Sequence, residues 1–396
     1  MKFKVSLQEF QDKLQKTLPA VPPKSTLPIL EHLNFKIEDN KLKIIGTNQD
    51  ITIMTTLEVE GESSGSVLVP ARKLDAFVKA LGNKGDIEFG VDPDNYEINI
   101  KTERGSYRMK GLNPDEYLDL PVLFDSKRPD TDYRSTDGTI DTSIPNAVIG
   151  KKDIQRLTEK TTFAVSSDEF RPAMTGVLFQ FIEDNLHAVA TDGYRLVKAS
   201  AKPEKVSFAD ETELIIPSKT ADLLRKVDGD VIVSIIEGSG SFSNVRFDIG
   251  DDTVLISKLI DENFPPYESV IPDNNELFAY VDGKEFSRAI KRISLFSNNI
   301  SKQIRVDLEE NNLKLRSYDE ESGNSGEEQI TCEYTSEKME IGFNYSYLED
   351  ALQNIDPQDT EDDLVMMTFS EPHKPVLVMP KSDENNLLML IMPVRL

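Results

Sequence analysis

Acidic side chains at related positions are the first candidates for chemistry in this sequence. Asp192 follows an apolar run, and Asp50, Asp319 and Glu320 stand at corresponding places in two other parts of the chain. Two carboxylates can act as general acid and base only when both lie in one cleft. These carboxylates belong to separate segments, and no glycine-rich phosphate loop or nucleophile motif accompanies them. The sequence therefore gives little support to an enzyme.

Metal-binding and nucleophilic side chains are few. The histidines His32, His187 and His373 lack the spacing of metal ligands, so we expect no metal site and no cofactor. Cys332 is the single cysteine, which excludes an internal disulfide and fits a reducing cytoplasm. It stands in a run typical of a β-strand, where a reactive thiol is not expected.

The charge of the chain is strongly negative. Its 396 residues sum to a formal charge of −25, and because phosphate binding needs Lys and Arg, the total argues against nucleic acid unless basic residues cluster locally. No apolar run reaches the roughly 18 residues of a membrane span, and no secretory signal opens the sequence. We expect a cytoplasmic protein of two or three domains without membrane contact.

A pattern that occurs three times organises the chain. In each third, a strand precedes a helix, strand pairs follow, and a short strand leads into a second helix. The six predicted helices span residues 6–18, 71–81, 150–163, 218–227, 283–295 and 344–355. This pattern predicts an α+β protein with three similar domains over residues 1–122, 145–272 and 273–396, and a linker or insertion over 123–144.

The middle third contains the clearest turn. Strand-like runs flank Thr191-Asp192-Gly193 within residues 186–199. Glycine tolerates a positive φ, and an aspartate side chain can bond its own backbone. We expect Gly193 to make the turn and Asp192 to hold it by hydrogen bonding.

The C-terminus is unusually apolar. Residues 387–396 contain one charged side chain, that of Arg395, and are too few to span a membrane. One interpretation is a final buried strand. The other is that Met389, Met392 and Val394 form a wall of an apolar groove, since methionine adapts to several ligands. Both interpretations hold if the strand is buried on one face only.

These features together carry a family resemblance. The three repeats, the run Thr191-Asp192-Gly193-Tyr194-Arg195-Leu196 and the end Met392-Pro393-Val394-Arg395-Leu396 stand in the order and at the separations found in the bacterial DNA polymerase III beta subunit, a sliding clamp. Residues 26–30, 264–267, 270–272 and 342–344 also match. The whole chain therefore resembles this family, and it departs mainly at residues 123–144 and at a predicted acidic loop over 320–329.

The resemblance implies a ring. Two chains, each with three clamp-type (processivity-fold) domains, would close head to tail as a homodimer. Outer β-sheets would surround a central pore, lined by two helices from each domain, that holds duplex DNA. At the dimer interface, Met109 of one chain would meet Leu295 and Phe296 of the other.

The distribution of charge fits such a pore. The helical stretches 6–16, 71–84, 150–160, 217–228, 282–292 and 344–356 sum to +5, so the rest of the chain carries −30. Weak, sequence-independent phosphate contacts suit a protein that slides. The alternative is that these charges only solvate helix faces. The predicted DNA-binding residues on the pore helices are Arg72, Lys79, Lys151, Arg156, Lys219, Arg225, Arg288 and Arg292, and the resemblance adds Lys24 and Arg171.

The resemblance also implies a groove, between the second and third domains, for short linear motifs of other proteins. The expected partners are the catalytic subunit of the replicative DNA polymerase, the clamp loader and other proteins of replication and repair. The matching groove residues are Met174, Thr191, Gly193, Tyr194, Arg195, Leu196, Pro272, Pro375, Leu390, Ile391, Met392, Pro393, Val394 and Arg395. The implied function is that of a non-catalytic processivity factor, cytoplasmic and associated with the nucleoid. An acidic protein-interaction scaffold that has this fold but does not encircle DNA is the alternative.

Overall fold

The computed structural model of the chain describes residues 1–118, 145–237, 242–355, 363–382 and 386–396. The chain forms two compact units. Unit 1 comprises Met1–Lys151 with Val227–Leu259, and unit 2 comprises Lys152–Lys226 with Ile260–Leu396. The predicted linker over residues 123–144 lies outside the described residues.

Unit 1 combines two helices with two β-sheets, with elements numbered along the chain. The helices are α1 (Leu7–Thr17) and α2 (Ala71–Leu81). The strands are β1 (Lys2–Ser6), β2 (His32–Glu38), β3 (Lys41–Thr47), β4 (Ile51–Glu58), β5 (Glu60–Ser63), β6 (Gly65–Pro70), β7 (Asp86–Val91), β8 (Glu97–Thr102), β9 (Gly105–Lys110), β10 (Asn146–Ile149), β16 (Val231–Glu237), β17 (Phe242–Ile249) and β18 (Thr253–Lys258). One sheet has the order β5-β1-β7-β8-β9, and the other runs β10-β16-β17-β18-β4-β3-β2-β6.

One apolar core joins both helices of unit 1 to both of its sheets. Phe10 and Leu14 stand four residues apart on α1, so both point to the same side and both are fully buried. The Phe10 ring meets the Phe35 ring edge-on at 5.9 Å, and Phe3 stacks on Phe89 at 5.1 Å. Burial of each such side chain stabilises the fold by about 1.5–3 kcal/mol.

Unit 2 is built on one large antiparallel sheet. Its helices are α3 (Lys151–Thr162, of which the first residue belongs to unit 1), α4 (Ser218–Leu224), α5 (Gly283–Ser294) and α6 (Tyr345–Gln353). The strands are β11 (Gly176–Ile182), β12 (Asn185–Thr191), β13 (Arg195–Ala201), β14 (Lys205–Val206), β15 (Thr212–Pro217), β19 (Leu277–Asp282), β20 (Gln303–Glu309), β21 (Asn312–Asp319), β22 (Asn324–Glu333), β23 (Met339–Asn344), β24 (Leu364–Phe369), β25 (Val376–Pro380) and β26 (Leu387–Ile391). All except β14 join the sheet, in the order β15-β11-β12-β13-β26-β25-β24-β19-β22-β21-β20-β23.

The six predicted helices are confirmed, but all except α2 are shorter than predicted, and α4 and α6 are each shorter by three residues. α4 ends at Leu224, three residues before the predicted end. The backbone N–H of Lys226 bonds to the carbonyl of Leu223, three residues back, at 3.0 Å. Such a bond tightens the last turn and ends the regular α-helix. Arg225, predicted to project from this helix, is therefore its C-terminal cap.

The predicted acidic loop over residues 320–329 is wrong, because most of it is strand. Gly323, with φ of 69°, belongs to the turn, and β22 begins at Asn324. Glu327 of β22 lies opposite Arg316 of β21 and forms an ion pair with Lys314 at 2.7 Å. Opposite charges across two strands stabilise their pairing, so this ion pair stabilises the hairpin of β21 and β22.

Candidate functional site

The predicted groove residues meet at an apolar surface in the middle of the unit 2 sheet. Leu390 of β26 lies directly opposite Leu196 of β13 on one side and Leu377 of β25 on the other. All three side chains are buried in one cluster. Partly buried apolar residues cover this cluster, and together they form what we call the apolar face: Ala173, Ile260, Phe264, Ile271, Met379, Leu388 and Met392. An incompletely buried apolar surface of this kind suits a protein ligand.

Alternation along the last strand decides which side chains reach the apolar face. Leu388 and Met392 belong to the apolar face and Leu390 to the buried cluster on the same side, because residues two apart in a strand point to one side. Met389 lies between them and is almost completely buried, but it is not part of this cluster. The prediction that Met389 lines the groove wall is therefore wrong. The interpretation of the C-terminus as a buried strand is confirmed for Leu387–Ile391, whereas residues 392–396 lie beyond the strand and are partly or fully exposed.

The turn between β12 and β13 is built as the sequence predicts. Gly193 has a φ of 91°. Asp192 Oδ1 accepts hydrogen bonds from the backbone N–H groups of Tyr194 and Arg195, at 2.9 and 3.0 Å. The Thr191 hydroxyl donates to the carbonyl of Arg195 at 2.6 Å and accepts from the N–H of Gly193. Thr191 and Asp192 are thus structural residues of the turn.

Arg195 points inward from this turn. Its Nε donates to Asp192 Oδ2 at 3.1 Å, and its second terminal nitrogen donates to the Phe163 carbonyl at 2.8 Å. The guanidinium also pairs with Asp350 and lies 4.9 Å from the centre of the Tyr347 ring. Because its side chain is only 13% exposed, these partners within the chain occupy it.

Tyr194 is the exposed residue of the turn. Its side chain is 60% exposed and stacks on Tyr347 of α6, with ring centres 6.5 Å apart. Nearby, the buried Met174 places its Cε 3.5 Å from the position that a Cβ would take at Gly193. Aromatic and methionine side chains at one edge of an apolar surface give a ligand adaptable contacts.

The remaining predicted groove residues lie in the segments around the apolar face. Pro272 follows the short turn Tyr267–Val270, and the carbonyl of Pro375 accepts a hydrogen bond from Asn275 at 3.2 Å. Beyond Ile391, the backbone N–H of Met392 donates to the Tyr194 carbonyl at 2.8 Å. Val394 forms an isolated bridge with Gly342. Pro393 and Val394 are partly exposed, and Arg395 is exposed.

A polar cluster behind the apolar face was not predicted. The Tyr267 hydroxyl donates to Gln180 at 2.5 Å, and the amide of Gln180 donates to Glu213 at 2.8 Å. Burial and the neighbouring Glu268 raise the pKa of Tyr267 well above its usual range, so the hydroxyl keeps its proton. Tyr267, at the end of the run Phe264-Pro265-Pro266-Tyr267, was the residue from which the sequence could have predicted this polar cluster.

The predicted DNA-binding residues fall into two groups. Six form contacts within the chain: Arg72 with the Val21 carbonyl, Lys79 with Asp75, Arg156 with the Ser200 carbonyl, Arg171 with Asp168, Arg225 with Asp222, and Arg292 with Glu328. Lys24, Lys151, Lys219 and Arg288 are exposed, and their charged groups make no ion pair within the described ranges. The second group is better placed for phosphate contacts.

The two faces of α5 explain why Arg288 and Arg292 differ. Arg292 turns toward β22, where Glu328 holds it at 3.0 Å and raises its pKa. Lys284, Arg288 and Lys291 follow one another at helical spacing and line a cavity of about 310 Å³ beside α6. Lys291, which we did not predict, therefore shares the face of Arg288.

Of the predicted dimer-interface residues, two are exposed and one is not. Leu295 and Phe296 follow α5 and are 77% and 43% exposed. Met109 is only 6% exposed and belongs to the core of unit 1. Two residues before it on the same side of β9, Tyr107 is exposed and packs edge-on against Phe77 at 4.7 Å. An interface here would present Tyr107 rather than Met109.

Three of the four acidic residues considered for catalysis, Asp50, Asp192 and Asp319, have structural partners, and Glu320 is exposed. Asp50 pairs with Lys258 at 3.0 Å, and Asp319 accepts hydrogen bonds from Ser322 and Asn298. Throughout the described ranges, His, Cys, Asp and Glu form no group of three or more that could hold a metal ion. Nor does any helix there have the length and apolarity needed to cross a bilayer.

Comparison with known proteins gives a consistent result along the chain. Models of the DNA polymerase III beta subunit match in order: the N-terminal domain over residues 1–121, the central domain over 148–266 and the C-terminal domain over 268–395. The predicted boundaries at residues 122, 145 and 272 stay predictions. A beta sliding clamp of Staphylococcus aureus is 29% identical over 409 residues, which cover 100% of this chain and 99% of the relative.

Solved structures agree with the sequence matches. The DNA polymerase III subunit beta of Pseudomonas aeruginosa is 26% identical, with a TM-score of 0.86 over 100% of both chains. A sliding clamp of Bartonella birtlesii bound to griselimycin is 28% identical, with a TM-score of 0.85, again over 100% of both chains. By its three domains and its fold, the chain belongs to the DNA polymerase III beta subunit family, the beta sliding clamps.

Proposed function

We propose that this chain is a DNA sliding clamp, a ring-shaped homodimer that holds the replicative DNA polymerase on duplex DNA. The observation that carries this proposal is the match to clamp structures over the full length of both chains, at a TM-score of 0.86. A ring retains DNA by topology, so it needs neither sequence recognition nor a tight grip on phosphates. The protein acts without catalysis, in the cytoplasm and associated with the nucleoid.

The experiment for this function is primer extension. On a long primed template, the replicative polymerase and clamp loader of the same cell should give much longer products when this protein is present. Product length that does not change would contradict the proposal. A variant with a disrupted dimer interface serves as the control, because a ring that does not close should give no extension beyond that of the polymerase alone.

Two open sheet edges of opposite charge support a head-to-tail dimer. β9 is the outer strand of its sheet in unit 1, and its exposed basic residues include Arg108 and Lys110. In unit 2, β21 pairs along β22, whereas β19 reaches only Cys332 and Glu333. The rest of β22 therefore has a free edge. Strands with free edges pair readily with a strand of another chain.

The side chains around these edges are complementary. The turn before β22 exposes Glu320 and Glu321, which can face the basic side chains of β9 in a second chain. Next to them lies an exposed apolar group, with Leu295 77%, Ile300 88% and Tyr318 64% exposed. Burial of such side chains in an interface removes apolar surface from water.

Leu295→Asp tests this dimer. Light scattering of the unaltered protein should give twice the chain mass of 44.6 kDa. The variant should shift toward the monomer because a buried carboxylate without a partner is strongly unfavourable. Phe278→Asp is the matched control, since Phe278 is 44% exposed but lies on β19, which pairs with the last two residues of β22 and not with its free stretch. An unaltered protein that is monomeric at micromolar concentration would contradict the ring.

We further propose that the apolar face binds the linear motifs of the polymerase, the clamp loader and other replication and repair proteins. Its partly exposed leucines and methionines offer a surface that several apolar motifs can use. Tyr194 and Met392 are the proposed contact residues, and Leu196 and Leu390 are the buried side chains that support this surface. Removal of residues 392–396 should abolish binding of a clamp-motif peptide while the dimer persists. Unchanged peptide affinity in that truncated protein would exclude the tail from the site.

The basic residues without ion pairs are the proposed phosphate contacts. Lys151, Lys219 and Arg288 are exposed on helices of the kind that the family places around DNA, and Lys24 is exposed in the segment between α1 and β2. Replacement of all four by Gln should reduce the salt dependence of DNA binding, because fewer counterions are released. The same change at Lys79, Arg225 and Arg292, which have acidic partners, should have a smaller effect.

A further inference from the structure

The C-terminal tail is held at two separate places after β26 ends. The N–H of Met392 donates to the Tyr194 carbonyl at 2.8 Å, next to the turn between β12 and β13. Two residues later, the N–H of Val394 donates to the Gly342 carbonyl at 2.9 Å. Gln303 then donates to the Arg395 carbonyl at 3.2 Å. The tail thus runs from the strand next to the apolar face to the far strands β20 and β23.

Gly342 leaves the space that the tail occupies. A Cβ at this position would lie 2.6 Å from the Val394 carbonyl oxygen and 2.8 Å from Leu396 Cδ2. Contacts this short do not occur in folded proteins, and a backbone oxygen cannot rotate away as a side chain can. β23 is the last strand of its sheet, so its outer edge is free to accept the tail. Only glycine at residue 342 permits the bridge to Val394.

We propose that Gly342 is a positioning residue that seats the tail as a wall of the apolar face. Met392 belongs to the apolar face and is held at the first of the two places, two residues before the contact of Val394 with Gly342. A seated tail presents Met392 in a fixed position before any ligand arrives. An unseated tail has to be ordered during binding, and the apparent affinity falls by the fraction of molecules that are correctly arranged. This inference rests on the proposed motif-binding function.

Gly342→Ala is the test, and Gly90→Ala is its matched control. Gly90 also lies within a strand, but the nearest atom to its added Cβ is 3.9 Å away. A fluorescent peptide with the clamp motif of the replicative polymerase should bind Gly342→Ala about 10- to 100-fold more weakly, and the control without change. Carboxypeptidase should release Leu396 and Arg395 faster from Gly342→Ala than from the control.

A second comparison distinguishes displacement of the tail from any other effect of Gly342→Ala on the strand. In a chain that lacks residues 392–396, which should no longer bind the peptide, Gly342→Ala should cause no loss of the free energy of unfolding, because the group that it displaces is absent. A loss there would overturn the proposal. So would unchanged peptide affinity of the full chain, or unchanged release of the tail residues.

Gln303→Ala extends the test to a change that leaves the strand backbone untouched. It removes the bond to the Arg395 carbonyl and should give a smaller effect in both assays, about 2- to 10-fold in affinity. If Gly342→Ala does not fold, the peptide affinity and the carboxypeptidase release of Gln303→Ala test the proposal in its place. Failure of the unaltered protein to bind the peptide would contradict the proposed function, whereas the carboxypeptidase result would still report on the seating of the tail.

Discussion

Arg195→Ala tests whether the arginine that matches the family groove acts through structure or through direct contact. Its guanidinium is 13% exposed and contacts the turn at Asp192, the end of α3 at the Phe163 carbonyl, and α6 at Asp350. One side chain therefore ties three elements of unit 2 together. Alanine would remove all of these contacts at once.

The expected loss of stability depends on whether each partner of Arg195 keeps another hydrogen-bond donor or is solvated by water after the substitution. Removal of one member of a buried ion pair costs about 3–5 kcal/mol when its partner is left buried and alone. Here Asp192 keeps two backbone N–H donors, and Asp350 is 39% exposed, so water can solvate it. The Phe163 carbonyl loses a donor, which costs about 1–3 kcal/mol. We expect the free energy of unfolding to fall by about 2–3 kcal/mol.

Urea unfolding followed by circular dichroism measures this loss. Arg225→Ala is the control, since Arg225 is 44% exposed and stands 3.8 Å from Asp222. Its loss should stay below about 1 kcal/mol, as for other surface ion pairs. Equal stability of the two variants, combined with weaker peptide binding by Arg195→Ala alone, would refute the structural role and make Arg195 a contact residue.

Three further predictions concern stability and reactivity. Burial lowers the pKa of His187 from its ordinary 6.5 to about 4. The contribution of the neutral side chain to stability is therefore complete above pH 6.5 and is lost as the pH falls toward 4. In urea unfolding between pH 7 and 5, His187→Gln should lose less stability than the unaltered protein. Burial raises the pKa of Cys332 to about 11, so iodoacetamide at pH 8 should modify it in urea but not in the native protein, as mass spectrometry can show. Phe10→Ala should lower the free energy of unfolding by about 3–5 kcal/mol, since the ring is fully buried, and a loss below 1 kcal/mol in urea unfolding would contradict the described core.

Local patterns in the sequence predicted most of the elements. Apolar spacing found all six helices because each buries one face, as Phe10 and Leu14 do. The roles of Asp192 and Gly193 in their turn were predicted, since the hydrogen bonds of Asp192 go to residues within three positions of it. The prediction of a loop at residues 320–329 was wrong because the partners of its glutamates, Lys314 on β21 and Arg292 on α5, lie outside this run of the sequence.

The direction of a side chain was harder to predict than its location. Family matching placed Arg195 at the groove, whereas its partners Phe163 and Asp350 come from distant parts of the sequence. Met389 is buried because the face to which a strand residue points depends on register. Met109 is buried because the core of unit 1 covers it, on the same side of β9 as the exposed Tyr107, and its role in a dimer interface stays a prediction. Only the folded chain shows that these two methionines are buried.

Retention on DNA is the most direct test of a sliding clamp. The labelled protein should be loaded onto nicked circular DNA by the clamp loader and then separated from free protein by gel filtration. We predict that it stays on the circle through a salt wash and leaves when a restriction enzyme linearises the DNA, because only the closed circle prevents it from sliding off. Equal retention on circular and linear DNA, or none on either, would contradict the ring and favour a scaffold that does not encircle DNA.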